Sequence, residues 1–188
     1  IQDTSTLNFD AELPGLGLID GSARKCGMLM HNVYAVSARD KKPLGLVQQQ
    51  IIVRTGKVAK TATAAQRRER KKESAKWSAG LLAGKAALPT HRKVIQVCDR
   101  EADIYVFIKQ IKDVEQGFAI RCAQNRSTET GKLFSDIAQA EVRGTGLVKI
   151  ARNGKRKART AQLIIKSCVV QLRPSQKQNR QGPVLSVN

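Results

Sequence analysis

The chain has 188 residues, 34 of them Lys or Arg against 15 Asp or Glu, which gives a formal net charge of +19. That excess is more than solubility needs and points to a polyanionic partner, nucleic acid first. An apolar content of 41% excludes a disordered basic tail, and no apolar run approaches the roughly 18 residues of a membrane span.

The length suits one or two domains with a sizeable core. The chain opens on Ile1 without a basic-then-apolar leader, so it reads as an internal or processed piece. Residues 27–38, mostly apolar with Val and Tyr, predict a buried strand. A polar turn from Asp40 to Pro43 leads to a second strand at 44–54, and the pair suggests an antiparallel hairpin. Residues 55–72 are polar and basic without apolar periodicity, the pattern of an exposed loop. From Glu73 to about Ala87, Trp77, Leu81, Gly84 and Leu88 fall on one helical face, and Pro89 ends that helix.

Residues 93–98 predict a short strand running straight into Asp99-Arg100-Glu101-Ala102-Asp103. A helix follows, with Ile104, Phe107, Ile108 and Ile111 at i, i+3, i+4 and i+7. Residues 118–123 read as another strand and 133–140 as a short helix. Gly144 and Gly146 bracket an expected turn, strand-like runs follow at 147–152, 161–173 and 183–187, and Asn153-Gly154 is a hairpin-turn dipeptide. This order predicts an α/β core with a mixed sheet, followed by a β-rich basic appendix.

The charge is unevenly placed. From Val142 to Asn188 there are eleven Lys or Arg and no acid. A second basic block runs from Lys57 to Lys76, relieved only by Glu69 and Glu73. Several acids fall in two small groups, near the start (Asp3, Asp10, Glu12, Asp20) and in the middle (Asp99, Glu101, Asp103). Carboxylates repel phosphates unless a cation lies between them, so metal ions would reconcile these groups with a nucleic-acid partner.

Asp99 stands at the C-terminal end of an interior strand, the edge of open α/β sheets where ligands collect. Asp3 is expected at or just past the end of a first strand. Two carboxylates on neighbouring strands suffice for Mg²⁺, which keeps several waters and takes substrate phosphate as well. Two such ions clamp the attacking and leaving oxygens of a phosphoryl transfer. Asp99 can equally cap the helix that follows, and Glu101 and Asp103 can serve its dipole. His31 reads as a satisfied core histidine and Trp77 as core. The four cysteines (Cys26, Cys98, Cys122, Cys168) form no C-x-x-C pair, which argues against zinc; each reads as a small core residue in a reducing compartment.

These residues resemble the bacterial insertion-sequence transposases with a DDE triad, of the Tn-five type. Asp3-Thr4-Ser5-Thr6-Leu7-Asn8-Phe9 resembles their D-T-T-x-L-x-[FY] segment, and Gly15-Leu16-Gly17 their G-L-G element. Met28-Leu29-Met30-His31 is similar to L-L-L-H, and Leu44 to Gln50 to G-L-L-x-Q. Lys72-Glu73-Ser74 with Trp77 resembles K-E-S-x-x-W. Asp99 to Tyr105 matches D-R-E-A-D-I-[HY], and Arg121-Cys122-Ala123 with Asn125-Arg126 is similar to R-[AS]-x-x-N-R. The motifs agree in order across 1–126; residues 127–188 match only in the basic stretch at 154–159 and in β character.

The resemblance implies an RNase H-like core at 1–126 and a β-rich basic insertion at 127–188. It implies that Asp3 and Asp99 bind metal, two Mg²⁺ or Mn²⁺ in the complete site, and that the parent enzyme nicks transposon ends and transfers strands. Arg121 and Arg126 would contact DNA near the scissile phosphate. Arg100, Lys71, Lys72, Lys155, Arg156 and Lys157 would add further DNA contacts. A homodimer on DNA in a bacterial cytoplasm, associated with the nucleoid, goes with that reading. The family's Glu belongs to a Y-x-x-R-x-x-x-E helix, yet no Tyr follows Tyr105 and no acid follows Glu141. The third carboxylate is therefore expected to be missing, and the chain to cut no strands alone. The rival readings are a basic nucleic-acid-binding module with structural acids, and another RNase H-like nuclease.

Overall fold

A computed structural model of the chain describes residues 1–10, 14–19, 26–54, 73–89, 91–154, 156–174 and 182–188. Most of the Lys57–Lys76 block, with Lys71 and Lys72, lies outside the described residues, as does Lys155. The described chain forms two compact units, Ile1–Ala123 and Gln124–Asn188.

The first unit is built on a six-stranded mixed sheet. Its strands are β1 (Gln2–Phe9), β2 (Gly17–Leu18), β3 (Cys26–Val36), β4 (Pro43–Ile52), β5 (Ile95–Cys98) and β6 (Gly117–Ile120). They run in the order β2-β3-β1-β5-β6, with β4 also paired to β3. β3 and β4 form the antiparallel hairpin expected from the sequence, with register shifts after Val33 and Ala35. β1 is antiparallel to β3 from Gln2↔Val33 to Phe9↔Cys26. On its other side β1 meets β5 in parallel at Gln2↔Cys98, and β5 and β6 pair in parallel along their length. Parallel neighbours need a crossover, and helix α2 (Tyr105–Asp113) supplies it between β5 and β6.

Helix α1 (Ala75–Ala87) precedes β5. It stops where the sequence predicts, because Leu88, ahead of Pro89, is pushed into extended backbone at φ −101°, ψ 143°. Trp77 and Leu81 of α1 pack with Cys98, Ala102, Phe107 and Ile111 into one core. Gly80 lets α1 approach the sheet: a Cβ there would run into Gln2 and come 2.8 Å from Val33 Cγ2. Alternation fixes the two faces of β5. Gln96 and Cys98 are buried towards the helices, whereas Ile95 and Val97 are 56% and 40% exposed on the opposite face.

The second unit holds helix α3 (Leu133–Gln139), the ribbon β7 (Val142–Ile150)–β8 (Arg159–Lys166), and the pair β9 (Val170–Leu172)–β10 (Leu185–Val187). Val170, Leu172 and Leu185 are its buried apolar residues, and buried Thr128 donates to Asp136 Oδ2 at 2.7 Å. β7 and β8 are antiparallel. Asn153 and Arg156 exchange backbone hydrogen bonds of 3.2 and 3.0 Å at the tip. Gly154 takes φ +50° there, a left-handed conformation that suits glycine.

The α/β class and the mixed sheet hold, but some expectations do not. Gly144 and Gly146 do not flank a turn; both lie inside β7, with a register shift beside Gly144. Glycine in a strand often marks such an irregularity. The run 161–173 is two strands, broken at Ser167–Val169. The strand expected at 118–123 ends at Ile120, so Arg121, Cys122 and Ala123 lie beyond it. Cys98 is the one fully buried cysteine, and Cys122, expected in the core, is exposed.

Candidate metal centre and its surroundings

Asp3 is the second residue of β1, near the strand's start rather than past its end. Asp99 follows β5 directly, in extended backbone. Because Gln2 and Cys98 face each other across the parallel ladder, Asp3 and Asp99 each stand one residue beyond the same rung. Gln2 and Cys98 are buried against the helices, and the two aspartates are exposed. Alternation places both carboxylates on the face opposite α1 and α2.

Both readings of Asp99 meet in one side chain. It caps the 3₁₀ turn Arg100–Ala102, its Oδ1 accepting from the Glu101 N–H at 2.9 Å. A carboxylate has about four lone-pair sites, so this bond leaves room for a cation. Glu101 and Asp103 do not sit in the first turn of α2, which begins at Tyr105. Glu101 accepts from the Lys76 ammonium at 3.1 Å, and buried Asp103 accepts from the Ala123 N–H at 2.8 Å. The acids of this turn thus hold its shape and the start of the chain after β6.

A divalent cation fits what the carboxylates offer. They are hard, exposed oxygen donors, which suit Mg²⁺ or Mn²⁺. The softer donors are turned away. Cys98 lies on the helix face, where burial pushes its thiol up to about 12. Among the described residues no cluster of three or more His, Cys, Asp or Glu forms, so waters and a bound phosphate would complete the shell.

His31 is fully buried and satisfied, as its apolar strand predicts. Burial first, and then the nearby Lys76 cation, lower its pKa to about 4, so the ring is neutral at neutral pH. Its Nε2 lies 3.1 Å from Gln2 Oε1, an acceptor, so Nε2 carries the proton. Its Nδ1 therefore accepts from Thr4 Oγ1 at 2.9 Å. Gln2 in turn donates to Gln96 at 3.0 Å, and Gln96 donates to Gln116 at 2.7 Å. This buried chain of side-chain hydrogen bonds crosses β3, β1 and β5 directly beneath Asp3. It satisfies polar groups that would otherwise be costly to bury.

A second network reaches the same place from the side. Arg54, just past β4, donates twice to Glu73, at 2.9 and 3.1 Å, and also to the Ile19 carbonyl oxygen. That guanidinium holds the Glu73 carboxyl below its ordinary value. Lys76 lies 3.6 Å from Glu73 and 3.1 Å from Glu101, with its ammonium 5.5 Å from the Trp77 ring centroid. Lys76 closes the basic block of the sequence, yet it is only 4% exposed and is paired with two carboxylates rather than open to phosphate. The i,i+3 spacing of Glu73 and Lys76 is the signal that could have found the pair.

The expected DNA contacts divide between the units. Arg100 and Arg121 are exposed in the first, and the Arg121 N–H donates to the Cys98 carbonyl at 3.2 Å, at the edge that carries Asp99. Arg126 is half-buried in the second unit, whose ribbon tip exposes Arg156 and Lys157. No helix of the described residues is long and apolar enough to cross a membrane. No protein-family model matches the chain.

Proposed function

We propose that the chain comes from the catalytic core of a DDE-type DNA transposase, with an RNase H-like sheet whose Asp3 and Asp99 hold divalent metal. The observation that carries this is the parallel Gln2↔Cys98 rung between β1 and β5: Asp3 and Asp99, both exposed, each follow it by one residue. The sheet order supports it: antiparallel strands on one side of β1, and two parallel strands joined by a helix on the other. The motif order from Asp3 to Arg126 narrows the class from nuclease to transposase.

Asp3 and Asp99 would hold Mg²⁺ or Mn²⁺, which when bound would supply activation of water and stabilisation of the attacking and leaving oxygens of phosphoryl transfer. Arg100 and Arg121 neutralise the DNA backbone beside them, and the ribbon tip of the second unit adds phosphate contacts. The third carboxylate is assigned to no residue of this sequence, so strand cleavage is not expected of these 188 residues alone. In the complete enzyme the partners are a transposon end, target DNA and a second copy of the chain, in a bacterial cytoplasm with the nucleoid.

A second reading, a basic nucleic-acid-binding module with structural acids, is favoured by the Asp99–Glu101 cap. A Mn²⁺ titration of thermal unfolding separates the two. Metal at 100 times its dissociation constant should stabilise the wild-type chain by about 2.7 kcal/mol, and Asp99→Asn should lose that gain. If the asparagine variant is less stable but gains as much from Mn²⁺ as wild type, Asp99 is a cap and the binding-module reading stands.

A further inference from the structure

Lys76 is the buried cation nearest the candidate centre, and electrostatics alone would make it a poor neighbour for a metal ion. An ammonium in a site meant for Mg²⁺ or Mn²⁺ repels the ion it should help to bind. Its bonds suggest a different role. The ammonium is 3.1 Å from Glu101 Oε2, and the backbone N–H of that same Glu101 donates to Asp99 Oδ1 at 2.9 Å. Lys76 is itself fixed from three directions: by Glu73 at 3.6 Å, by the Trp77 ring, and through its carbonyl, which accepts from Gln50 at 3.4 Å. Glu73 is anchored in turn by Arg54 from the end of β4. A continuous set of bonds therefore runs from the sheet through α1 to the amide that orients the Asp99 carboxylate.

We propose that Lys76 is a positioning residue for Asp99, acting through Glu101: it holds the 3₁₀ turn so that the Glu101 amide presents Asp99 to the cation beside Asp3. This rests on the metal reading above. Groups that orient a ligand from behind it commonly set metal affinity by about 10–100-fold, and that is the effect assigned to Lys76. The two possible influences of Lys76 have opposite signs, which makes the proposal testable. Removing a repelling charge tightens metal binding, whereas removing a clamp weakens it.

The test is the Mn²⁺ dissociation constant of the 188-residue chain, read from the electron paramagnetic resonance signal of free Mn²⁺. Lys76→Met keeps the aliphatic stem against Trp77 and leaves Glu101, whose side chain is 61% exposed, in water. It should weaken Mn²⁺ binding about 10–100-fold. Lys76→Arg should recover most of the loss. Equal or tighter binding by Lys76→Met overturns the proposal. Should Lys76→Met fail to fold, Glu101→Ala removes the acceptor of the same pair from the exposed side and keeps the backbone amide. Its loss of affinity should persist at about 1 M salt, where the Debye length is about 3 Å. A loss that salt abolishes is through-space charge and also overturns the proposal. Asp99→Asn runs in parallel. If wild type and Asp99→Asn bind Mn²⁺ alike, the metal reading itself fails and takes this proposal with it. If only Asp99→Asn loses binding, the metal reading stands and Lys76 is not its positioning residue.

Discussion

Raising salt from about 50 to 200 mM will weaken binding of this chain to duplex DNA by about 10³–10⁵-fold, if about 6–10 phosphates are neutralised. The net charge of +19 makes some salt dependence unavoidable; the placement of the cations sets its size. The ribbon exposes Lys149, Arg152, Arg156, Lys157 and Arg159 on a stretch without acids, and the first unit exposes Arg100 and Arg121 beside the strand ends that precede them. Each phosphate contact contributes about 0.9 to the slope of log affinity against log salt. Replacing Arg156 and Lys157 by alanine should therefore lower that slope by about two, with little change in sequence preference. Fluorescence anisotropy on a short duplex reads both quantities. A flat salt response would remove the electrostatic basis for a nucleic-acid partner.

Replacing Trp77 by alanine will destabilise the first unit by about 3–5 kcal/mol. Trp77 is 1% exposed and stands between the polar sheet face and the apolar helix core. Its ring meets His31 edge-on at 4.7 Å and Phe107 at 6.0 Å, and the Lys76 ammonium lies 5.5 Å from its centroid. Alanine would leave a cavity between His31 of the buried hydrogen-bond chain and the Lys76 ammonium. A domain of this kind has only about 5–15 kcal/mol in total, so at least about a fifth of the margin is at stake. With a urea slope of about 1–3 kcal/mol per molar, the unfolding midpoint should fall by more than about 1 M. An unchanged midpoint would mean that Trp77 is not the centre of this core.

The elements that sequence reading located best are those whose periodicity comes from burial. α2 carries Phe107, Ile108 and Ile111 inward as spaced, and Trp77, Leu81 and Gly84 line the buried side of α1. The sequence could not show which strands pair. The parallel contact of β1 with β5, which brings Asp3 to Asp99, joins segments 96 residues apart and leaves no local trace. It also concealed the Gln2–Gln96–Gln116 chain. Glutamine is normally a surface residue, and in β5 Gln96 points inward with Cys98 while the larger apolar Ile95 and Val97 point out, against the usual alternation. Lys76 was hidden for a similar reason: charge composition groups it with the basic loop, and only its partners reveal that it is buried. The acids of the turn after β5 were legible as a cluster. The cap at Asp99 is local and was legible as well. The ion pair at Glu101 and the backbone acceptor at Asp103 depend on chain that folds back from elsewhere.

Backbone cleavage by bound Fe²⁺ tests most directly whether Asp3 and Asp99 share a cation. Fe²⁺ takes the place of Mg²⁺ at oxygen sites, and with ascorbate and peroxide it generates hydroxyl radicals that cut the chain beside the ion. Mass spectrometry should find cuts next to Asp3 and next to Asp99 in the same sample, and Asp99→Asn should abolish both sets together. Cuts at only one of the two segments, or cuts at both that survive Asp99→Asn, would contradict a shared site.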